Sequence, residues 1–74
     1  MNTQFNKLAY KNIRTIAQSD GRLNALKYIR VFHVENYDVA KMCLNDILNN
    51  ERWTMPHVQA DINAVRERIF LNSR

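Results

Sequence analysis

Gly21 and Pro56 are the only strong helix breakers in a chain of 74 residues, and everything between them is patterned at helical spacing. A chain punctuated so rarely folds into a few helices joined by short turns. The expected fold class is all-α, a small antiparallel bundle of three to four helices in one domain over residues 1–74. Apolar residues make up 46% and charged residues 24%, a globular balance rather than a disordered one. At this size only roughly 60% of the unfolded surface leaves water, so the core is thin and a deep catalytic cleft lacks walls.

The first helix is expected from about Gln4 to Gln18 with Thr3 as its cap. Phe5, Leu8, Ala9, Ile13, Ile16 and Ala17 form its apolar stripe, while Tyr10 reads as an exposed aromatic. Ser19-Asp20-Gly21 supplies a stop, and Asp20 can cap the second helix, Arg22 to His33. That helix is apolar around most of its girth, through Leu23, Ala25, Leu26, Tyr28, Ile29, Val31 and Phe32. Val34-Glu35-Asn36 reads as a turn before a third helix from Tyr37 to about Leu48, although a continuous helix stays open without a glycine or proline to break it. The third helix buries Tyr37, Ala40, Cys43, Leu44, Ile47 and Leu48. After a loop through Trp53, Thr54 caps a fourth helix with Pro56 in its first turn. Met55, Val58, Ile62, Val65 and Ile69 give this helix a narrow seam suited to one partner helix, inside the chain or on a second copy.

Charge is distributed unevenly. The formal net charge is +4, but residues 1–33 hold six basic groups against one acid, whereas residues 34–74 hold five against six. On the first helix Lys7, Lys11, Arg14 and Gln18 share an arc of about 60° opposite the apolar stripe. On the second, Lys27 and Arg30 point the same way as Leu23, Val31 and Val34. A hairpin of the two helices is expected to gather Lys7, Lys11, Arg14, Lys27 and Arg30 into a basic binding face. Val31, Val34 and Trp53 are its candidate anchors.

Reactive chemistry finds little support. One glycine rules out a glycine-rich phosphate loop. Cys43, His33 and His57 are isolated from one another, so no metal or other cofactor is expected. The acids are scattered, and Ser19 and Ser73 lack a base partner, so the chain is not expected to be an enzyme. A helix-turn-helix centred on Gly21 fails because Arg22, Lys27 and Arg30 occupy positions that must be apolar. No apolar run reaches the roughly 18 residues of a membrane span, and Met1 to Asp20 lacks a secretory core. The lone Cys43 fits a reducing, cytoplasmic setting.

The reading that emerges is contact without catalysis. The chain is expected to be a small interaction protein, a regulator or inhibitor of the phage or plasmid type. It would dock its basic face on an acidic or nucleic-acid-associated surface of a larger protein or nucleoprotein complex, away from membranes, with a homodimer expected from its surplus apolar surface. The alternative is direct, weakly sequence-specific DNA or RNA binding through the same face.

Overall fold

The computed structural model describes residues 5–49 and 57–72. These residues form four α-helices, α1 (Lys7–Asp20), α2 (Arg22–Phe32), α3 (Tyr37–Asn49) and α4 (Val58–Asn72), with a 3-10 turn at Val34–Asn36 between α2 and α3. The architecture is an all-α bundle. Consecutive helices are tied by three cross-helix contacts, Asn12 with Tyr28, Arg22 with Asn45, and Arg68 with Asp46. The contacts of Tyr10 with Asp61 and of Phe5 with Arg66 set α1 antiparallel to α4. Helix α1 packs on the other three, and α3 touches both flanking helices, whereas α2 and α4 do not meet. The bundle therefore has a central pair, α1 and α3, with α2 and α4 on opposite flanks.

Local chemistry sets the boundaries. Helix α1 starts at Lys7, later than expected, because Asn6 rather than Thr3 is its cap. The Asn6 side-chain oxygen accepts from the Ala9 amide at 3.1 Å. Phe5, just outside the cap, lies 6.4 Å from the Tyr10 ring and is 1% exposed, so a hydrophobic staple fixes the entry of the chain. At the other end Gly21 takes φ 93°, a left-handed conformation that only glycine adopts cheaply. Gly21, not Asp20, is the residue at the N-cap of α2, and no side chain bonds there. The second break needs no glycine. His33 leaves helical geometry at φ −131°, ψ 38°, and its carbonyl accepts from the Asn36 amide at 3.0 Å, so α2 and α3 are separate helices.

The core comprises Phe5, then Ala9, Tyr10, Ile13 and Ala17 of α1, Ala25 and Ile29 of α2, Ala40, Cys43, Leu44 and Ile47 of α3, and Val58, Ile62 and Val65 of α4. Alanine at four of these positions lets the helix axes approach closely. Two expectations for α1 are overturned. Leu8 is 65% exposed and Tyr10 is fully buried. The reason is polar: the Tyr10 hydroxyl donates to Asp61 Oδ2 of α4 at 2.5 Å, so the large ring fills the core with its one polar atom satisfied. The seam of α4 packs inside the chain, with Val58, Ile62 and Val65 buried and Ile69 half-buried. Met55, Thr54, Pro56, Thr3 and Trp53 lie outside the described residues.

Candidate interaction surface

Helix α2 is the element whose apolar content least matches its burial. Only Ala25 and Ile29 are buried, while Leu23 is 75% exposed, Val31 70% and Phe32 58%, followed by Val34 at 66% in the 3-10 turn. Its two packed edges are marked by hydrogen bonds. Tyr28 accepts from the Asn12 amide at 3.4 Å on the α1 side, and the Arg22 guanidinium donates to Asn45 on the α3 side. Between those edges runs an outward arc holding Leu23, Lys27, Arg30 and Val31. Its helical spacing explains the grouping, because residues three and four apart share a face.

Part of that arc is concave. Asp20, Leu23, Asn24, Leu26, Lys27 and Arg30 line a groove of about 350 Å³. Lys27 and Arg30 are both exposed, and neither makes an ion pair or hydrogen bond with the described residues. Asp20 at the far end of the groove is exposed, and its carboxylate also lacks such a partner. A second groove, of about 430 Å³, lies between α3 and α4 and is lined by Asp38, Lys41, Met42, Asn45, Ile69 and Asn72. It is larger, but its charges cancel: Asp38 and Lys41 are one turn apart on α3, and the Lys41 ammonium sits 6.0 Å from the Tyr37 ring centre. The smaller groove is the one with a net sign.

The five cations expected to form one face divide into groups. Lys27 and Arg30 share the α2 groove. On α1, Tyr10 marks the edge turned to α4, and Lys7 and Arg14 lie three residues before it and four after it, on that same edge. Asn12 marks the opposite edge, turned to α2. By helical periodicity the basic side of α1 thus leans toward α4, while Lys27 and Arg30 lie on the outer arc of α2. Lys7 and Lys11 are exposed, whereas Arg14 is half-buried and interacts within the protein. Rotation of one helix about its axis relative to its neighbour decided this outcome, and periodicity within each helix carries no record of it. Of the candidate anchors, Val31 stands exposed on α2 and Val34 in the 3-10 turn after it.

Elsewhere, cations are engaged. Arg68 pairs with Asp46 at 2.8 Å, and the Arg66 guanidinium donates to the Phe5 carbonyl. The sequence reading missed Tyr10–Asp61, and only the tertiary fold brings those two residues together across 51 positions of chain.

The remaining reactive side chains lie in the interior or alone. Cys43 is fully buried, and burial foremost, then the nearby Asp61 and Asp46 charges, push its thiol up to about 12. A thiol held protonated in this way is a poor nucleophile. His33 is 8% exposed between the rings of Phe5, at 5.7 Å, and Tyr28, at 5.5 Å. Neither of its ring nitrogens has a hydrogen-bond partner among the described residues, and burial lowers its pKa from the usual 6.5. Among the described residues no group of three or more His, Cys, Asp or Glu side chains could hold a metal ion. No described helix is long and apolar enough to cross a membrane. Comparison with protein-family models, with curated proteins and with solved structures gives no match to this chain.

Proposed function

We propose that the protein is a small non-enzymatic interaction protein, a regulator or inhibitor of the phage or plasmid type working in the cytoplasm. It docks the outer face of α2 on an acidic surface of a larger protein or nucleoprotein complex. The observation that carries this reading is the pairing of two cations without ion pairs or hydrogen bonds to the described residues, Lys27 and Arg30, with exposed Leu23 and Val31 on one arc. Val34 stands exposed in the 3-10 turn that follows. Interfaces draw most of their energy from apolar anchors and arginine in a desolvated centre, and α2 offers both. The arc on α1 is different, because Lys7 and Lys11 stand among Thr15 and Gln18 without large apolar neighbours other than Leu8. That composition suits a solvated face.

Direct binding of DNA or RNA is the second reading, and the exposed Lys7 and Lys11, which make no ion pair or hydrogen bond with the described residues, favour it. Phosphate recognition needs cations without an apolar centre, so α1 rather than α2 would carry it. Homodimerisation is a weaker part of the proposal. The α4 seam is taken up inside the chain and the face of α2 is given to the partner, which leaves exposed Phe70 and Leu71 on α4 as its basis.

The test separates the two basic faces. Wild type, K27E/R30E and K7E/K11E are each used to capture proteins from the native host, with helicity checked by circular dichroism. The reading expects the specific captured species to be lost by about tenfold or more with K27E/R30E and kept with K7E/K11E, a change on the scale of truncating interface hot spots. Equal capture by K27E/R30E and wild type contradicts it. Salt-sensitive binding of labelled duplex or single strands that is lost with K7E/K11E supports the nucleic-acid reading instead.

A further inference from the structure

We infer that the segment received by the α2 groove is an acidic amphipathic helix of the partner, lying antiparallel to α2 with its acid-rich N-terminal turn over Lys27 and Arg30. This inference rests on the docking function proposed for the same face.

Three features of the groove select that occupant. The first is backbone chemistry. The wall of the groove is helical and presents no strand edge, so a partner cannot add to it as a strand and is read chiefly by side chains. The second is the ridge spacing. Leu23, Leu26 and Arg30 recur three and four residues apart, as do Leu23, Lys27 and Arg30, giving two rows into which the side chains of another helix can interleave. From Leu23 to Arg30 the α2 face extends about 10 Å, enough for nearly two turns of a partner.

The third feature is the order of charge. One acid, Asp20, lies at the start of the groove, and two cations, Lys27 and Arg30, lie toward its end. A partner with acids over the two cations satisfies both. Acids belong in the first turn of a helix, where they complement its dipole, so the N-terminus of the partner falls at the Arg30 end and the two helices run antiparallel. A second copy of this chain fits less well. Laid antiparallel, it offers one Asp20 to two cations on each copy and brings together two chains of net charge +4. A nucleic-acid strand would set phosphates against Asp20 and desolvate nothing useful on Leu23.

The experiment uses fluorescence anisotropy with the whole protein and four labelled probes. These are an acetylated acidic amphipathic peptide of about 15 residues with acids in its first turn, the same residues scrambled, poly-glutamate, and a duplex DNA of about 20 base pairs. The first peptide is expected to bind at least about tenfold more tightly than its scrambled form. K27E/R30E should abolish that preference, as should Leu23→Asn, while K7E/K11E should leave it within about twofold. Circular dichroism confirms that each variant stays folded. Equal binding of both peptides, or of poly-glutamate, that is lost with K27E/R30E overturns the helical occupant but leaves acidic docking standing. Failure of all three acidic probes overturns both. Duplex binding lost with K27E/R30E also overturns both, in favour of phosphates. Sedimentation showing a dimer that K27E/R30E dissociates overturns the inference in favour of a second copy.

Discussion

Helices α2 and α3 carry similar apolar content but use it differently. Helix α3 buries Ala40, Cys43, Leu44 and Ile47. Helix α2 buries only Ala25 and Ile29, and leaves Leu23, Val31 and Phe32 more than half exposed. Position in the bundle accounts for the difference. Helix α3 touches α1, α2 and α4, whereas α2 touches α1, α3 and the 3-10 turn and stands on a flank. A flank helix needs one apolar stripe, so the surplus on α2 is not demanded by folding. The proposed docking gives that surplus a use, since contiguous exposed apolar groups suit a contact surface. The comparison teaches that α3 holds the fold and α2 faces outward.

The largest effect should come from breaking the α3 side. Leu44→Ala leaves a cavity at a fully buried site and is expected to cost about 2–5 kcal/mol of stability, enough to threaten so small a domain. Leu23→Ala on α2 should stay within about 0.5 kcal/mol in the same urea titration. If the two substitutions cost the same, the division of roles fails.

Tyr10→Phe probes the central pair more finely. It removes the donor to Asp61, a half-buried carboxylate, and should cost about 1–3 kcal/mol. The same loss in Asp61→Asn measured alone and with Tyr10→Phe, without additivity, would locate the energy in this one bond.

Gly21→Ala comes next, at about 1 kcal/mol. Open space surrounds the position, so the cost is purely that of φ 93° and should appear in thermal unfolding without change in the cores of α1 or α2.

His33 adds a pH-dependent test at the junction of α2 with the 3-10 turn. Burial lowers its pKa in the folded chain, so the unfolded chain takes up the proton first. The stability that depends on a neutral ring is therefore complete above pH 6.5 and declines as pH falls below it. His33→Leu should flatten the urea midpoint between pH 7 and pH 5 relative to wild type, about the range in which histidine titrates. An unchanged slope would place the acid sensitivity elsewhere.

How much of this was legible in the chain depends on the element. Helices α3 and α4 were largely readable because apolar residues recur three and four apart, and Ala40, Cys43, Leu44 and Ile47 with Val58, Ile62 and Val65 are the buried ones. Leu48, expected inside, stands 41% exposed at the end of α3, and Tyr37 and Ile69 are half-buried. Helix α1 misled at two positions, since a tyrosine reads as surface or core until its hydroxyl partner is known, and Asp61 is remote in sequence. The break at Val34-Glu35-Asn36 was legible as a turn, but with no glycine or proline to force it a continuous helix stayed open, and the backbone geometry at His33 decides between the two. For α2, an apolar girth says that some arc is exposed but not which. The five cations illustrate the same limit, because each helix fixes its own arc while the fold fixes how arcs face one another. Trp53 lies outside the described residues and stays a sequence-based expectation.

The central claim is that the outer arc of α2 makes the functional contact, and the most direct measurement is a map of amide chemical shifts in labelled protein as the acidic amphipathic peptide is added. The account expects saturable shifts concentrated from Leu23 to Val34, with the amides of α4 unmoved. Shifts centred on Lys7 and Lys11, or spread evenly over the bundle, would contradict it.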